Sequence, residues 1–204
     1  MLKKLSLISI LTVSAFAMHG VDININDKDL EFGANLDMGQ FVNTVEPNTV
    51  FVGGRYLKGN EDHSDFTSNN NAYYEANFLM QKAVSGSDVT IGLGVKANHT
   101  NANLGSKNRD FSSIPLGVEL GYKLPTNTRV PFYLGGKLYY APEVLCMNDA
   151  KSFLEYRVNL DMEVIPNGRI TVGYRNIDTN YDISGKTVDT NYNRSAYVGF
   201  KFQF

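Results

Sequence analysis

The chain has 204 residues, of which 43% are hydrophobic and 20% are charged, and its formal net charge at neutral pH is -2. These values exclude a disordered chain and a strongly basic nucleic-acid-binding protein, and the length suits one domain. Cys146 is the only cysteine, so an intrachain disulfide is excluded as well. No histidine lies near Cys146 in the sequence, and we assign this thiol no role.

The N-terminus predicts a secretory signal peptide. Residues 1–4 form a short positive region, the apolar run Leu5–Val13 follows, and Ala15–Ala17 has the small-x-small form of a cleavage site. The apolar run is shorter than the roughly 20 residues that a membrane-spanning helix needs. We therefore expect export with cleavage near Ala17, which leaves residues 18–204 as the mature domain.

Beyond the signal, apolar and polar residues alternate with a period of two, which predicts strands that have one apolar and one polar face. In Phe153–Val164, polar residues occupy every second position from Glu155 to Glu163. Such alternation is typical of transmembrane β-barrels, whose strands are apolar outside and polar inside. In chain order, the predicted strands are Val21–Asn26, Leu30–Met38, Val50–Lys58, Tyr73–Lys82, Val89–Asn98, Ile114–Leu124, Phe132–Tyr140, Phe153–Val164, Ile170–Tyr174 and Ser195–Phe204.

The connectors predict the topology, because outer-membrane barrels have short periplasmic turns and longer external loops. The short connectors are Asn43–Thr49, Val84–Ser87, Pro125–Arg129 and Ile165–Gly168. The long ones are Gly59–Asn71, His99–Ser113, Ala141–Ser152 and Thr179–Asn191. This alternation favours an all-β, up-and-down antiparallel barrel of ten strands with both termini in the periplasm. Eight strands remain the alternative, because Val21–Asn26 is short for a spanning strand.

The last strand predicts how the barrel closes and assembles. Its apolar face ends in Phe200, Phe202 and Phe204, a pattern that resembles the signal read by the outer-membrane assembly machinery. Closure requires this strand to pair with Val21–Asn26.

The predicted lumen carries nearly balanced charges, seven basic and eight acidic. A balanced, narrow interior favours ion pairs that fill the lumen over a charge-selective pore. A narrow channel for small solutes or ions is the alternative. The basic residues are Arg55, Lys96, Lys123, Lys137, Arg157, Arg175 and Lys201, and the acidic ones are Asp22, Glu31, Asp37, Glu75, Glu119, Glu155, Asp161 and Glu163.

An enzyme at the outer rim is a third hypothesis. His63 lies in the polar loop segment 61–65, where Asp62, His63 and Asp65 could orient a base or bind a metal, and His99 lies at the outer end of a predicted strand. No nucleophile spacing points to either histidine, and we assign no catalytic, metal or cofactor residue. In Ala141–Lys151, Pro142 predicts a short helical turn that packs on neighbouring strands; the alternatives are a lid or a segment lying on the outer leaflet.

Three segments near the C-terminus, Leu138–Leu145, Phe153–Arg157 and Gly173–Arg175, resemble the YfaZ family of proteobacterial outer-membrane proteins. The resemblance implies an exported β-barrel and brings no catalytic residues with it. We therefore expect a non-enzymatic outer-membrane barrel with a structural or envelope role. Its expected partners are outer-membrane lipid and the assembly machinery, without nucleic acid or cofactors, and its oligomeric state stays open.

Overall fold

The fold is known from a computed structural model that describes residues 20–63, 72–104, 107–126, 128, 130–183 and 185–203. The predicted signal peptide and Phe204 lie outside these residues. Three short 3-10 turns occur in the described ranges, at Met38–Gln40, Glu61–His63 and Glu143–Leu145. The strands are β1 (Gly20–Ile25), β2 (Leu30–Asp37), β3 (Val50–Lys58), β4 (Ala72–Ala83), β5 (Val89–Leu104), β6 (Lys107–Ser113), β7 (Leu116–Leu124), β8 (Phe132–Ala141), β9 (Cys146–Asn148), β10 (Ala150–Ile165), β11 (Gly168–Ile183), β12 (Lys186–Val188) and β13 (Asn191–Gln203).

Ten of these strands close into one antiparallel barrel. Around the ring the order is β1, β2, β3, β4, β5, β7, β8, β10, β11 and β13, and each strand pairs with both neighbours. The closing ladder joins β1 to β13, from Gly20 opposite Gln203 to Ile25 opposite Val198. The prediction of ten strands is confirmed, as is the pairing of the first strand with the last, and the eight-strand alternative is wrong.

The two faces of the wall follow the alternation in the sequence. Outward side chains are apolar and exposed, such as Leu93, Val158 and Val172, whereas inward charged residues such as Glu155 and Arg157 are buried. The polar interior is therefore the packed side of this protein. No helix in the described ranges is apolar and long enough to cross a membrane.

One end of the barrel holds Gly20 and Gln203, and we call it the terminal end. The turn after β10 lies at this end and contains only two residues between Ile165 and Gly168. The second of them, Asn167, has a φ of 65°, which Asn tolerates better than most residues. The opposite end, the loop end, carries the β1–β2 hairpin turn and the connectors that follow β3, β5, β8 and β11.

The loop end is more regular than predicted. His99–Ser113 is not a loop, because β5 continues to Leu104 and pairs with β6. Similarly, β11 runs to Ile183 and pairs there with β12, so much of the predicted loop Thr179–Asn191 is strand. These extensions keep alternate side chains buried, among them Ala102, but the Asn-rich sequence hides the pattern.

The connector between β8 and β10 contains the predicted helical turn, as the 3-10 turn Glu143–Leu145. Leu145 packs against buried apolar residues, and its carbonyl accepts a hydrogen bond of 2.8 Å from the Ile114 backbone. Val144 points away and is 85% exposed. The turn therefore packs on its neighbours through one side only.

The barrel wall is shorter on one side of the loop end, where β1 and β2 meet. The β1–β2 hairpin turns at Asn26–Asp29, whereas β13 extends upward from Val198, the partner of Ile25, to Asn191. Above the hairpin, side-chain contacts replace the ladder between β13 and the end of β3. The Tyr192 hydroxyl donates to the Leu57 carbonyl at 3.2 Å, and Asn193 donates to Asp29 at 2.9 Å. We call this junction the seam.

Candidate functional site

Six charged side chains form a closed ring of alternating sign across the middle of the lumen. They come from β2, β3, β4, β5 and β10, and all point inward. We call this set the charged ring, and its members in order are Glu31, Arg157, Glu155, Lys96, Glu75 and Arg55.

The contacts of the ring are short, with one exception. Arg157 lies 2.8 Å from Glu31 and 2.5 Å from Glu155, so it links β10 to β2 across the lumen. Lys96 lies 2.7 Å from Glu155 and 3.1 Å from Glu75. Arg55 completes the circuit, at 3.2 Å from Glu31 and 4.0 Å from Glu75. The last distance is the longest in the ring.

A branch joins the ring to the seam. Arg175, on β11, lies 3.3 Å from Glu31 and 3.0 Å from Asp29. With this branch the group has four cations and four carboxylates, and its formal charge balances. Buried charges require such partners because their desolvation is costly. The arrangement therefore locks six strands together without leaving an excess charge.

Above the ring, toward the loop end, the lumen is filled by a buried apolar cluster. The order along individual strands shows the layering: Tyr73 precedes Glu75 on β4, and Phe153 precedes Glu155 on β10. The rings of Phe111 and Tyr181 pack edge to face at 5.3 Å. We call this cluster the apolar plug: Leu57, Tyr73, Ala102, Phe111, Tyr139, Ala141, Ala150, Phe153, Ile177, Tyr181 and Tyr192.

Below the ring, a cavity of about 560 Å³ reaches the terminal end, and we call it the vestibule. Arg55 and Glu75 of the ring are among its lining residues, so the ring forms its blind end. Phe51 and Leu79 give it an apolar side, while Asn77 and other polar groups line the rest. A solute entering from the terminal end meets the ring and, behind it, the plug.

The charges of the vestibule are mostly paired. Glu119 lies 2.9 Å from Lys137 and accepts a hydrogen bond of 2.7 Å from Tyr139. Asp161 lies 2.9 Å from Lys201. These pairs are partly exposed, so each contributes less to stability than a buried pair that is fully satisfied.

Nearer the mouth, Glu163 accepts a hydrogen bond of 3.0 Å from Tyr133 and lies 3.8 Å from Arg169. Lys123 is exposed at the same end.

Glycines on the inner face make room for tyrosine rings. A Cβ at Gly94 or Gly117 would overlap Tyr139, and one at Gly173 would overlap Tyr197. Tyr139 can therefore lie flat against the wall, where its ring also sits 3.8 Å from the Lys96 ammonium. The glycines on the polar face of the predicted strands thus serve packing within the lumen.

The predicted lumen residues divide between the layers. Arg55, Glu75, Lys96, Glu155 and Arg157 lie in the charged ring with Glu31, and Arg175 lies on its branch. Six other members of the predicted set lie in or beside the vestibule: Glu119, Lys123, Lys137, Asp161, Glu163 and Lys201.

Three acidic residues have different places from the rest. Asp22 is buried on the inner face of β1, and Asp37 caps the 3-10 turn at the terminal end through the Gly39 amide. Asp29 lies in the β1–β2 turn, and its carboxylate accepts hydrogen bonds from Arg175 and Asn193. Its spacing of two residues from Glu31 was the only signal that could have placed it inside.

The rim histidines are not brought together. His63 has both ring nitrogens near carboxylates, with Nδ1 3.1 Å from Asp29 and Nε2 3.4 Å from Asp27. His99 faces outward and its Nδ1 lies 2.9 Å from the Ser112 hydroxyl. In the described part of the chain, no cluster of three or more His, Cys, Asp or Glu residues could hold a metal ion.

Cys146 is half-buried in β9, and its thiol contacts the Ala141 carbonyl at 3.8 Å. Burial, together with the nearby Glu143 carboxylate, raises the pKa of the thiol to about 11. The sulfur is therefore protonated at neutral pH, and a thiol is a poor nucleophile.

The sequence family described as "YfaZ precursor" matches residues 2–204. No curated protein matches the chain. The chain is similar to the solved structure "KdgM porin", with 8% identity, a TM-score of 0.43, and coverage of 91% of this chain and 98% of that one.

Two solved structures from Acinetobacter baumannii are also similar to the chain. They are the outer membrane channel DcaP (13% identity, TM-score 0.36, 90% of this chain and 54% of that one) and the outer membrane protein Omp33 (10% identity, TM-score 0.34, 92% and 99%).

Proposed function

Because the chain belongs to the YfaZ precursor family, we propose that it is an integral outer-membrane β-barrel with a structural, envelope role and a lumen that stays closed. The resemblance seen in the last third of the sequence is confirmed and extends over nearly the whole chain. The description "precursor" implies a signal peptide, and cleavage near Ala17 remains our prediction. The observation that carries the proposal is the charged ring beneath the apolar plug.

The outer surface supports a membrane location. Large apolar side chains on successive barrel strands are exposed, including Leu93 at 64%, Leu116 at 53% and Val172 at 51%. Soluble proteins rarely expose contiguous apolar surface of this kind. A belt of outward apolar residues around a polar interior suits lipid. In this setting the terminal end faces the periplasm and the loop end faces outward.

The interior favours a structural barrel over a channel. A conducting pore needs a continuous hydrated path, whereas here six charges neutralise one another and aromatic rings fill the space beyond them. Small barrels are generally just filled by side chains, and open aqueous channels belong to much wider ones. The vestibule would then be a water-filled recess that leads no further than the ring.

The rim favours a non-enzymatic protein. Both nitrogens of His63 face carboxylates, His99 faces outward, and the thiol of Cys146 is protonated. None of these groups forms the pairing of nucleophile and oriented base that acyl transfer or hydrolysis requires.

We further propose that the C-terminal strand is read by the outer-membrane assembly machinery. Phe200 is exposed on the outer face, and Phe202 and Phe204 continue the same alternation in sequence. Deleting Phe204 should lower the amount of folded protein in the outer membrane, measured by heat-modifiable migration of fractionated membranes. Replacing Phe204 with Tyr keeps a terminal aromatic and is the matched control. Undiminished folded protein after the deletion would refute this assignment.

Planar-bilayer recording tests the closed lumen. Wild-type protein, verified as folded by its heat-modifiable shift, should produce no discrete conductance steps. Reproducible steps that scale with the number of inserted barrels would overturn the proposal in favour of a narrow channel. Protein that stays soluble and shows no shift would instead overturn the membrane assignment itself.

A further inference from the structure

Three cations surround the seam on the outside of the barrel. Lys28 lies in the β1–β2 turn, Lys58 ends β3, and Arg194 lies on β13; all three are exposed. We call these residues the seam patch. They belong to three different elements, and the fold brings them to one side of the loop end.

The short β1–β2 hairpin explains why the cations meet. No strand separates β13 from the end of β3 above the hairpin, so the two approach through side chains. Gly59 is buried against Asn193 and Tyr192, and a Cβ at this position would lie 3.3 Å from the Asn193 amide nitrogen. Gly59 follows Lys58 directly, and Asn193 precedes Arg194. Lys58 and Arg194 therefore lie next to the contact between Gly59 and Asn193.

The seam patch lies just above the apolar belt. Arg194 shares the outer face of β13 with Ala196 and with Val198, which is 51% exposed. Across the ladder from Ala196 is Tyr174, whose ring contacts that of Tyr156 at 6.2 Å. Aromatic residues of this kind concentrate at the boundary between hydrocarbon and headgroups. Arg194, the next outward residue along β13, therefore lies at the level of the headgroups.

The acidic residues nearby are already engaged. Lys28 is paired with Asp62, and Asp27 lies 3.4 Å from His63. In the described part of the chain, no carboxylate lies within ion-pairing distance of Lys58 or Arg194. Arg194 uses its Nε to donate to Asn176 at 2.9 Å, which fixes the guanidinium while its remaining donors stay at the surface.

From this placement we propose that the seam patch binds the phosphate groups of an outer-leaflet lipid, with Lys58 and Arg194 as the main contacts. Guanidinium groups bind phosphate oxygens through paired hydrogen bonds, and Lys adds a mobile point charge. A bound phosphate would bridge β3 and β13 where the barrel has no backbone ladder. The inference rests on the proposed outer-membrane location, because it needs the loop end to face that leaflet.

Native mass spectrometry of the barrel in detergent micelles tests this assignment, with diphosphorylated lipid A as the added probe. The double variant Lys58→Gln/Arg194→Gln should bind this lipid about 25-fold more weakly, since each cation near an anionic lipid surface is worth roughly a fivefold change. Lys82→Gln removes an exposed cation from the terminal end of the same outer surface and should leave binding unchanged. Lys58→Arg/Arg194→Lys keeps both charges and should bind within about twofold of wild type.

Dephosphorylated lipid A is the second probe. Wild-type protein should lose most of its binding when the phosphates are absent. Equal binding of the two lipids by folded wild-type protein, or equal binding of diphosphorylated lipid A by the wild type and the double Gln variant, would overturn the seam patch and leave the proposed function standing. Failure of the wild type to show a heat-modifiable, detergent-inserted form would overturn the proposed function as well.

Discussion

Replacing Glu31 with Gln tests the charged ring at its most connected position. The Glu31 carboxylate lies 2.8 Å from Arg157, 3.2 Å from Arg55 and 3.3 Å from Arg175, and its side chain is fully buried. Gln preserves the shape of the side chain but removes the negative charge. The variant therefore holds three guanidiniums near one another with one carboxylate fewer.

The expected cost follows from the partners that remain. Removing one member of a buried ion pair typically costs about 3–5 kcal/mol, because the other charge is left uncompensated. Here each guanidinium keeps a second carboxylate: Glu155 for Arg157, Glu75 for Arg55 and Asp29 for Arg175. We therefore expect Glu31→Gln to lower the free energy of unfolding by about 3 kcal/mol, the lower end of that range.

Urea unfolding of the protein refolded into lipid vesicles provides the assay, with the folded fraction read from heat-modifiable migration. The matched control is Glu143→Gln, which breaks the exposed Glu143–Lys151 pair and should change the urea midpoint little. Adding Arg175→Gln to Glu31→Gln restores the charge balance, so the double variant should lose less stability than the sum of the two single variants. If Glu31→Gln lowers the free energy of unfolding no more than the control does, the claim that the ring is desolvated is refuted.

Three other outcomes follow from particular contacts. Gly117→Ala should lower the free energy of unfolding by about 1–3 kcal/mol, because its Cβ would overlap the Leu138 carbonyl and the Tyr139 ring, whereas Gly136→Ala, where a Cβ meets open space, should change the urea midpoint little. Burial would raise the pKa of Asp29, but hydrogen bonds from asparagines and a neighbouring arginine hold it below its ordinary 3.8. The stability from ionised Asp29 is thus present above pH 3.8 and lost as the pH falls through the lower folded value, and Asp29→Asn should make the fall in the urea midpoint between about pH 5 and about pH 3 shallower than in the wild type. Iodoacetamide should alkylate Cys146 at neutral pH about 100-fold more slowly in the folded than in the unfolded protein, because the raised pKa reduces the thiolate fraction by that factor. A midpoint that falls as steeply with pH in Asp29→Asn as in the wild type, or equal alkylation rates, would contradict the respective assignment.

The barrel itself was predictable because the alternation of polar and apolar residues within each strand marks its inner and outer faces. In β10, the polar positions from Glu155 to Asp161 alternate with apolar ones, and every second side chain is inward in the structure. The pairing of β1 with β13 followed from a topological requirement, since both termini must lie at one end. The structure pairs Val21 with Phe202, and no particular residue in either strand signals this register in the sequence.

The layers within the lumen were not predictable in the same way. Arg157 and Glu31 are 126 residues apart in sequence, and their contact depends on the tilt and stagger of five strands. The apolar plug was missed because Phe111 and Tyr181 fall in predicted loops, and Tyr192 lies between the last predicted loop and the last predicted strand. Their burial becomes evident only once the strands are seen to extend past the belt.

Side-specific thiol labelling tests the closed lumen most directly. In a Cys146→Ser background, Asn77→Cys places a thiol in the vestibule just below Glu75, and Ala102→Cys places one in the apolar plug. A membrane-impermeant maleimide should label Asn77→Cys only when it is admitted to the periplasm, and should leave Ala102→Cys unmodified from either side. Labelling of Asn77→Cys by reagent added outside intact cells would show a continuous path through the ring and would contradict the account.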